Sequence, residues 1–253
     1  MQHAPAARAP LAALLSAVLA LTAAACAGGG RTAEHPATPA PTAPRSPAAL
    51  TPAAVPPVLT EGQARAALIT EADLGEAWEP TRGAATWRDE VLKATAERPD
   101  CRRLLDVLYT EDLFGTAPRA TAALDDTDGG AQLHYRVTSH RAADLDRTLA
   151  WLGALPDTCG HFTSRAAHGP TRDVRVTAMP LPEAGEARQG VRVTLNAGES
   201  VLTVDLAAVR VGDDAASLTI GTLTEPSDDP TWTASETGAR RLAEVRRQGR
   251  VQV

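Results

Sequence analysis

The chain has 253 residues, 31 of them acidic and 25 lysine or arginine, so its formal net charge is −6. A mildly acidic chain that carries no basic stripe argues against nucleic acid as a partner. Aromatic residues make up only 3% of the sequence, so alanine, valine and leucine must fill most of the core. This length allows one or two domains.

The first segment has the layout of a secretory signal, predicted over residues 1–25. Arg8 and the amino terminus precede an uncharged apolar run that begins at Leu11 and ends in three alanines before Cys26. A positive start, an apolar middle and small residues at the cleavage site define such a signal. The alanines and Cys26 resemble the lipobox of bacterial lipoproteins, in which the cysteine is lipidated and becomes the first mature residue. Ala23 departs from that pattern, which usually has leucine or another branched aliphatic residue there.

Two alternatives to lipidation of Cys26 stay open, namely plain secretion and a retained membrane helix. The apolar run is shorter than the roughly 20 residues that a helix needs to cross a bilayer. A diacylglycerol-modified cysteine carries two acyl chains, which is enough for stable anchoring. We therefore expect a lipid-anchored protein on the extracytoplasmic face of the cell membrane.

Residues 26–58 are predicted to form a disordered linker after the lipidated cysteine. Gly28, Gly29 and Gly30 follow Cys26, and a stretch rich in proline, alanine and threonine continues from there without an aromatic residue. Such a segment cannot bury enough apolar surface to offset the entropy lost on ordering. Proline keeps it extended, so it is expected to hold the folded domain, residues 59–253, away from the membrane.

Cys101 and Cys159 remain once Cys26 is assigned to the lipid. An even number of cysteines in an exported chain indicates a disulfide. A metal site that uses both sulfurs and His161 is the alternative. The close cysteine spacing typical of zinc sites is absent, so we expect neither a metal nor a cofactor.

The folded domain is predicted to begin near Leu59, because Thr60 and Gln63 have the spacing of a capping box. Asp100 is predicted to cap a second helix, CRRLLDVLYTEDLFG, which carries Cys101 on its apolar face. The remaining pattern predicts strands at 119–124 and 132–139, a helix at 141–155, strands near 174–178, 191–196, 201–211 and 218–220, and a last helix from Pro230 to about Gln248.

Strands that cluster along the chain, instead of alternating with helices, favour the α+β class. Short turns between them favour an antiparallel, meander-rich sheet of about six strands. The alternation of the strand at 201–211 changes phase near Ala207. Either a bulge or burial on both faces explains that change.

Several features follow one another through the domain. They are Leu68–Leu74 with Trp78 shortly after, Cys101 before Leu104 and Leu105, the strand Arg119–Leu124, Cys159 and Gly160 with Phe162, the strand Val204–Val211, and an arginine-rich last helix. In this order they resemble lipoproteins of high-GC Gram-positive bacteria whose folded part is related to the PknH-like extracellular sensor domain. The resemblance covers about residues 59–253.

This resemblance implies an extracytoplasmic, non-catalytic domain. Its sheet would be curved, with helices on one side and a cleft that binds a ligand. The kinase sensors of that group are expected to carry two disulfides, whereas this chain can form only one, so it is not a close copy. The chain also has no kinase domain through which it could signal by phosphorylation.

The sequence contains no recognisable catalytic motif. The nucleophile elbow G-x-S-x-G, the S-x-x-K pair and the zinc motif H-E-x-x-H are all absent. Adjacent carboxylates, such as Asp213 and Asp214, lie at turns and make poor acid–base pairs, because neighbouring side chains on a strand point to opposite faces. We therefore expect that the protein is not an enzyme.

His134, Arg136, Arg175 and Arg192 occupy polar positions of three predicted strands. If those strands are neighbours, the four side chains would form a basic face able to hold an anionic ligand. A solvated sheet face without a ligand is the alternative.

Three functions fit this reading. The first is a membrane-tethered binding or accessory lipoprotein that meets an unidentified small ligand or an envelope protein. The second is an envelope hydrolase whose site is visible only in three dimensions. The third is a structural, wall-associated protein without a ligand. A cleft would favour the first, a histidine and a carboxylate within hydrogen-bond reach in a deep pocket the second, and a featureless surface the third.

Overall fold

The computed structural model describes residues 58–251, apart from residues 86, 116, 167, 168, 198 and 228. The predicted signal at 1–25, the predicted lipidation site Cys26 and the linker up to residue 57 lie outside the described residues.

Helices and strands follow the α+β pattern that the sequence predicts. The helices are α1 (Glu61–Ala66), α2 (Glu71–Leu74), α3 (Pro99–Thr110), α4 (Ala142–Cys159) and α5 (Asp229–Val251), and a π-helical turn spans Arg88–Leu92. The strands are β1 (Trp78–Pro80), β2 (Ala94–Thr95), β3 (Ala120–Asp126), β4 (Gln132–Ser139), β5 (His161–Ala166), β6 (Thr171–Ala178), β7 (Ala187–Ala197), β8 (Ser200–Val211) and β9 (Asp214–Thr222).

Within the described residues the antiparallel sheet has nine strands, so the prediction of about six was too low. The three additional strands are β1, β2 and β5. The first two span three and two residues, too few for an alternating pattern to show. The third, β5, begins directly after Cys159 and Gly160, where the sequence suggested only the close of a helix.

Helix ends differ from the predictions in specific places. The capping box of Thr60 and Gln63 is present, as predicted. Helix α3 starts at Pro99, not after a cap at Asp100, because proline fits the first helical turn. The same helix stops at Thr110, five residues before the predicted end, because Glu111 adopts a left-handed backbone with φ of 58°.

Neighbouring strands of the sheet are antiparallel throughout, in the order β1-β3-β4-β9-β8-β7-β6-β5-β2. Strands β5 to β9 form a continuous meander, which confirms the predicted topology of that half. Strand β4 pairs with β9, the last strand of the chain, although α4 and four strands separate them in sequence. The order of the sheet is therefore set by a long-range pairing at its centre.

The sheet carries a hydrophobic core on each face. On one face, called here the α4 face, α3 and α4 pack on residues such as Val193 of β7 and Leu206 of β8. On the other, called the α5 face, α1 and α5 pack on residues such as Tyr135 of β4 and Leu218 of β9. Helices on both faces correct the expectation of helices on one side.

Strand β8 contributes to both cores. Leu206 and Ala208 belong to the core of the α4 face, whereas Ala207 and Val211 belong to that of the α5 face. Its pairing with β7 and β9 runs without an extra residue, so the strand contains no bulge. The change of phase near Ala207 therefore reflects burial on both faces, one of the two explanations that the sequence allowed.

Cys101 and Cys159 form the predicted disulfide, with their Cα atoms 5.6 Å apart. It joins the first turn of α3 to the last residue of α4. A loop of 58 residues is closed, which the chain-entropy model values at about 4 kcal/mol. Because the two sulfurs are bonded to each other, they do not serve as metal ligands here.

An ion pair ties α5 to the short helix α2. Arg241 donates to both carboxylate oxygens of Asp73, at 2.7 and 2.8 Å. Burial by itself would raise the pKa of Asp73. The Thr70 N–H and hydroxyl and the Arg241 guanidinium outweigh burial, so the pKa of Asp73 lies below its ordinary value.

Helix α5 approaches the sheet closely at Gly238. A Cβ atom placed on Gly238 would lie 1.9 Å from the hydroxyl oxygen of Tyr135 and 2.8 Å from its Cζ. The Tyr135 ring is fully buried, and its hydroxyl forms no hydrogen bond within the part of the chain that the structure describes. Burial raises the pKa of Tyr135, so the phenol stays neutral. Helix α5 can therefore sit at this depth only with glycine at position 238.

Gly238→Ala is expected to lower the free energy of unfolding by about 1–3 kcal/mol, because the added methyl overpacks a filled core. Without the clash, the same change would favour an α-helix by up to about 1 kcal/mol. Urea denaturation measures the difference. Gly153→Ala in α4 is the control, since its Cβ meets the movable end of the Gln189 side chain. Adding Tyr135→Phe should restore part of the loss, and a Gly238→Ala protein as stable as wild type would contradict the close approach.

Candidate functional site

The structure divides the four residues of the predicted basic face between the two faces of the sheet. Paired residues of antiparallel neighbours share a face, so the register from β4 through β9 and β8 to β7 decides the matter. His134 lies opposite Thr219, which lies opposite Leu206 and then Val191, all on the α4 face. Arg136 follows His134 by two residues on the same strand, so it also lies on the α4 face.

Arg192, one residue after Val191, consequently lies on the α5 face. Arg175 pairs with Thr194 and shares that face. The four residues therefore do not form one basic surface, and any ligand-binding role for them stays a prediction.

His134 belongs to a half-buried polar network on the α4 face. Its Nδ1 lies 3.1 Å from Oε2 of Glu111, whose other oxygen pairs with Arg88. Its Nε2 lies 3.0 Å from Oε1 of Gln132. The Oε1 atom of Gln132 accepts from the Ala85 N–H, and its Nε2 donates to a backbone carbonyl and a carboxylate. These partners fix which end of the amide carries the oxygen. His134 thus lies between two acceptor oxygens, one from Glu111 and one from Gln132.

Arg136 supports the end of α3. Its Nη1 donates to the carbonyl oxygens of Thr110 and Glu111, at 3.2 and 2.6 Å. The left-handed Glu111 leaves these carbonyls at the end of the helix, and a guanidinium satisfies them well. His134 and Arg136 therefore hold α3 against the sheet.

Arg175 and Arg192 lie on neighbouring strands of the α5 face. Arg175 is exposed, next to the exposed Thr177. Arg192 is half-buried and makes a two-pronged ion pair with Asp205 of β8, its Nε and Nη2 lying 2.7 and 2.8 Å from the two carboxylate oxygens. The pair marks the border between the open part of this face and the part beneath α5.

Asp205 is a deeply buried carboxylate, at 2% exposure, and it lines a cavity. Besides Arg192, it accepts a hydrogen bond of 3.0 Å from the Thr231 hydroxyl in the first turn of α5. A carboxylate has about four lone-pair sites, and the Arg192 and Thr231 bonds occupy three of them. Asp205 can therefore accept one further hydrogen bond from a ligand.

A cavity of about 140 Å³, called here the Asp205 pocket, opens beside this carboxylate. Its floor is formed by side chains of β8 and β9 on the α5 face, and its walls by the β3–β4 turn and the segment before α5. The residues that line it are Asp126, Gly129, Ala131, Thr203, Asp205, Ile220, Thr222, Thr224, Glu225, Pro226, Ser227 and Pro230. It could hold a molecule of roughly five waters in volume.

The lining of the Asp205 pocket favours a ligand that donates hydrogen bonds. Asp126, Asp205 and Glu225 are acidic, and the lining itself contains no basic side chain. The Thr203 hydroxyl forms no hydrogen bond within the described part of the chain and is available to a ligand. Asp205 is paired with Arg192, and the lining adds the carboxylates of Asp126 and Glu225, which favour a cation.

Sequence reasoning did not select Asp205, Thr203 or Thr231. One signal was available, because Asp205 is the only charged residue between Val201 and Val209, a stretch in which Thr203 is the one other polar residue. A carboxylate at such a position must have a partner when buried. The partner itself could not be read from the sequence, because Arg192 and Thr231 come from other elements.

Within residues 58–251, as far as the structure describes them, no group of three or more histidine, cysteine or acidic side chains is placed to hold a metal ion. In that same part of the chain, no helix has the length and apolar character required to span a bilayer.

Comparisons with known proteins give structural likeness without sequence relatives. No protein-family model and no curated protein matches the chain. The extracellular domain of PknH from Mycobacterium tuberculosis resembles it with a TM-score of 0.48 and 13% identity, over 76% of this chain and all of that one. The Ran-binding protein Mog1p from Saccharomyces cerevisiae matches with a TM-score of 0.25 and 10% identity, over 55% of this chain and 79% of that one. The α+β class rests on the chain's own helices and strands.

Asp205→Asn is expected to lower the free energy of unfolding by about 2 kcal/mol, because an amide cannot replace both bonds to Arg192 and leaves its guanidinium without the opposite charge. Urea denaturation at neutral pH measures the loss. Asp173→Asn is the control on the same face, since Asp173 is exposed and such changes stay within about 0.5 kcal/mol. Equal effects of the two substitutions would show that the buried ion pair does not stabilise the sheet.

Proposed function

We propose that this protein is a lipid-anchored, extracytoplasmic, non-catalytic binding domain that takes a small ligand bearing an ammonium group. The observation that carries the proposal is the buried Asp205 carboxylate, which lines a pocket and retains one acceptor position. The anchor is inferred from the sequence of the first 26 residues, and the ligand class from the pocket.

The anchor rests on the order of charge, apolar run and small residues before Cys26. The disulfide between Cys101 and Cys159 agrees with an oxidising compartment, since disulfides persist mainly outside the cytosol. It also accounts for the other two of the three cysteines, which leaves Cys26 as the thiol available for acylation.

A binding role suits Asp205 better than acid–base chemistry does. Arg192 and Thr231 hold its carboxylate in place with three hydrogen bonds, which leaves one acceptor position for a ligand. None of the described histidines lines the Asp205 pocket. A fixed anion beside the Thr203 hydroxyl is suited to orienting a ligand cation, whose charge would be balanced by Asp126 and Glu225.

The ligand would be small and polar. The cavity of about 140 Å³ accommodates a few heavy atoms. An ammonium group would face the carboxylates, and a neighbouring hydroxyl or amide could bond to Thr203. Ethanolamine has this combination at minimal size, and glycerol offers hydroxyl groups without the charge, so the two serve as matched probes.

Thr203→Val is expected to weaken ethanolamine binding about 3- to 10-fold, the effect of losing one neutral hydrogen bond. Ligand-observed NMR on the full chain measures affinity for ethanolamine and for glycerol. Thr194→Val is the matched control, because Thr194 pairs directly with Thr203 across β7 and β8 but does not line the pocket. The proposed ligand class fails if wild type binds neither probe, or prefers glycerol, or if both valine variants bind ethanolamine like wild type.

Cys26→Ala is expected to remove the acyl mass from the mature amino-terminal peptide and to release the protein from the membrane fraction. Mass spectrometry and detergent-phase partition measure the two effects. A double Cys101→Ala and Cys159→Ala variant is the control, and it should keep the acyl mass because those sulfurs form the disulfide. An unmodified Cys26 in the mature wild-type protein would overturn the anchor, and an uncleaved, membrane-bound chain would point to the retained helix.

A further inference from the structure

A second cavity lies at the far edge of the sheet, away from the residues of the Asp205 pocket. It has a volume of about 710 Å³ and lies between β5 and the chain that leads from β2 into α3. Arg98, Arg102 and Arg165 line it together with Phe162 and Thr163. This cavity is called here the arginine groove.

Main-chain carbonyls hold two of the three guanidiniums in place. Arg98 donates to the carbonyl oxygen of Thr158, and its Nη2 lies 2.7 Å from that of His161. Arg102 donates to the carbonyl oxygens of Ala96 and Glu97, at 3.0 and 3.2 Å. Each guanidinium retains further N–H groups, because these bonds use only part of its donors.

The disulfide stiffens this part of the domain. Cys101 lies between the two anchored arginines in sequence, and Cys159 follows Thr158, whose carbonyl accepts from Arg98. The covalent link therefore joins the two segments that position Arg98 and Arg102. Side chains held in this way lose little entropy when they bind a ligand.

Arg165 is exposed, and its side chain makes no hydrogen bond or ion pair with the described residues. The main-chain N–H of Thr163 is also available to a ligand. The Val176 N–H donates to the carbonyl oxygen of Gly160, and this bond shows which residues of β5 form the hydrogen-bonded pairs with β6. By the alternation of such pairs, Phe162 and Ser164 bond to β6, whereas the N–H of Thr163 points away from β6, toward the edge of β5 that borders the groove.

The groove is positive although the chain as a whole is negative, with a net charge of −6. Glu97 is the one carboxylate among its lining residues, against three arginines. A local excess of positive charge of this kind attracts an anion.

We propose that the arginine groove binds a phosphate group. A phosphate offers more acceptor oxygens than a carboxylate, so several guanidiniums and an N–H can bind it together, and arginine pairs with it in two-pronged geometry. The phosphate comes from a soluble anion or from a phospholipid headgroup. The site shares no residue with the Asp205 pocket and does not depend on the proposed ligand there.

Two probes distinguish the sources. Inorganic phosphate is titrated calorimetrically into the full chain at low ionic strength. For the second probe, a full chain carrying Cys26→Ala, which cannot be acylated, is sedimented with phosphatidylcholine vesicles with and without phosphatidylglycerol. Binding of the free anion indicates a soluble ligand, and binding only to the anionic vesicles indicates a headgroup.

Arg165→Gln is expected to weaken binding of the effective probe about 10-fold or more, the effect of losing one charge-assisted hydrogen bond. Arg119→Gln is the matched control, because Arg119 is also exposed, its side chain has no partner in the described residues, and it lies before β3 at the other end of the sheet. Arg98→Gln should weaken binding as well, and its melting temperature reports any loss of fold. Wild type that binds neither probe, or equal losses in the Arg165 and Arg119 variants, would overturn the proposal.

Discussion

The constraint on which this domain depends is that one sheet serves two cores on opposite faces, with β8 shared between them. Leu206 of β8 faces the helices on one side, and the adjacent Ala207 faces α5 on the other. A strand that is buried on both faces cannot alternate apolar and polar residues, and β8 indeed reads as a nearly continuous apolar run. The pairing of β4 with β9 is equally central, because it brings the second core onto the sheet.

This division of the sheet decides what each polar side chain does. His134 and Arg136 point to the face where α3 ends, so they meet Glu111 and the carbonyls at the helix terminus. Arg192 points the other way and meets Asp205 at the edge of the surface that α5 covers. Polar side chains of similar chemistry therefore hold a helix on one face of the sheet and border a pocket on the other.

Both candidate sites lie where helix cover ends. The Asp205 pocket opens at the first turn of α5, where Thr231 reaches the carboxylate. The arginine groove lies beside the outermost strands, where β2 pairs with only two residues of β5 and leaves the rest of that edge open. One site is lined by carboxylates and hydroxyls and the other by guanidiniums, so the domain offers regions of opposite polarity to the two kinds of ligand.

The sequence by itself determined the features that depend on neighbours along the chain: the capping box at Thr60, helix α4, the alternating strands β4 and β7, and the disulfide that the cysteine count implied. The sequence did not predict strands β1, β2 and β5, because they are defined by pairing with neighbouring strands and not by an alternating pattern of residues. Only the tertiary structure decided that His134 and Arg192 face opposite sides and that Asp205 finds its partners on β7 and α5. The physical reason is that alternation with a period of two shows which residues of a strand share a face. It does not show which face of the sheet that is, because the face depends on the register of pairing with strands that lie far away in sequence.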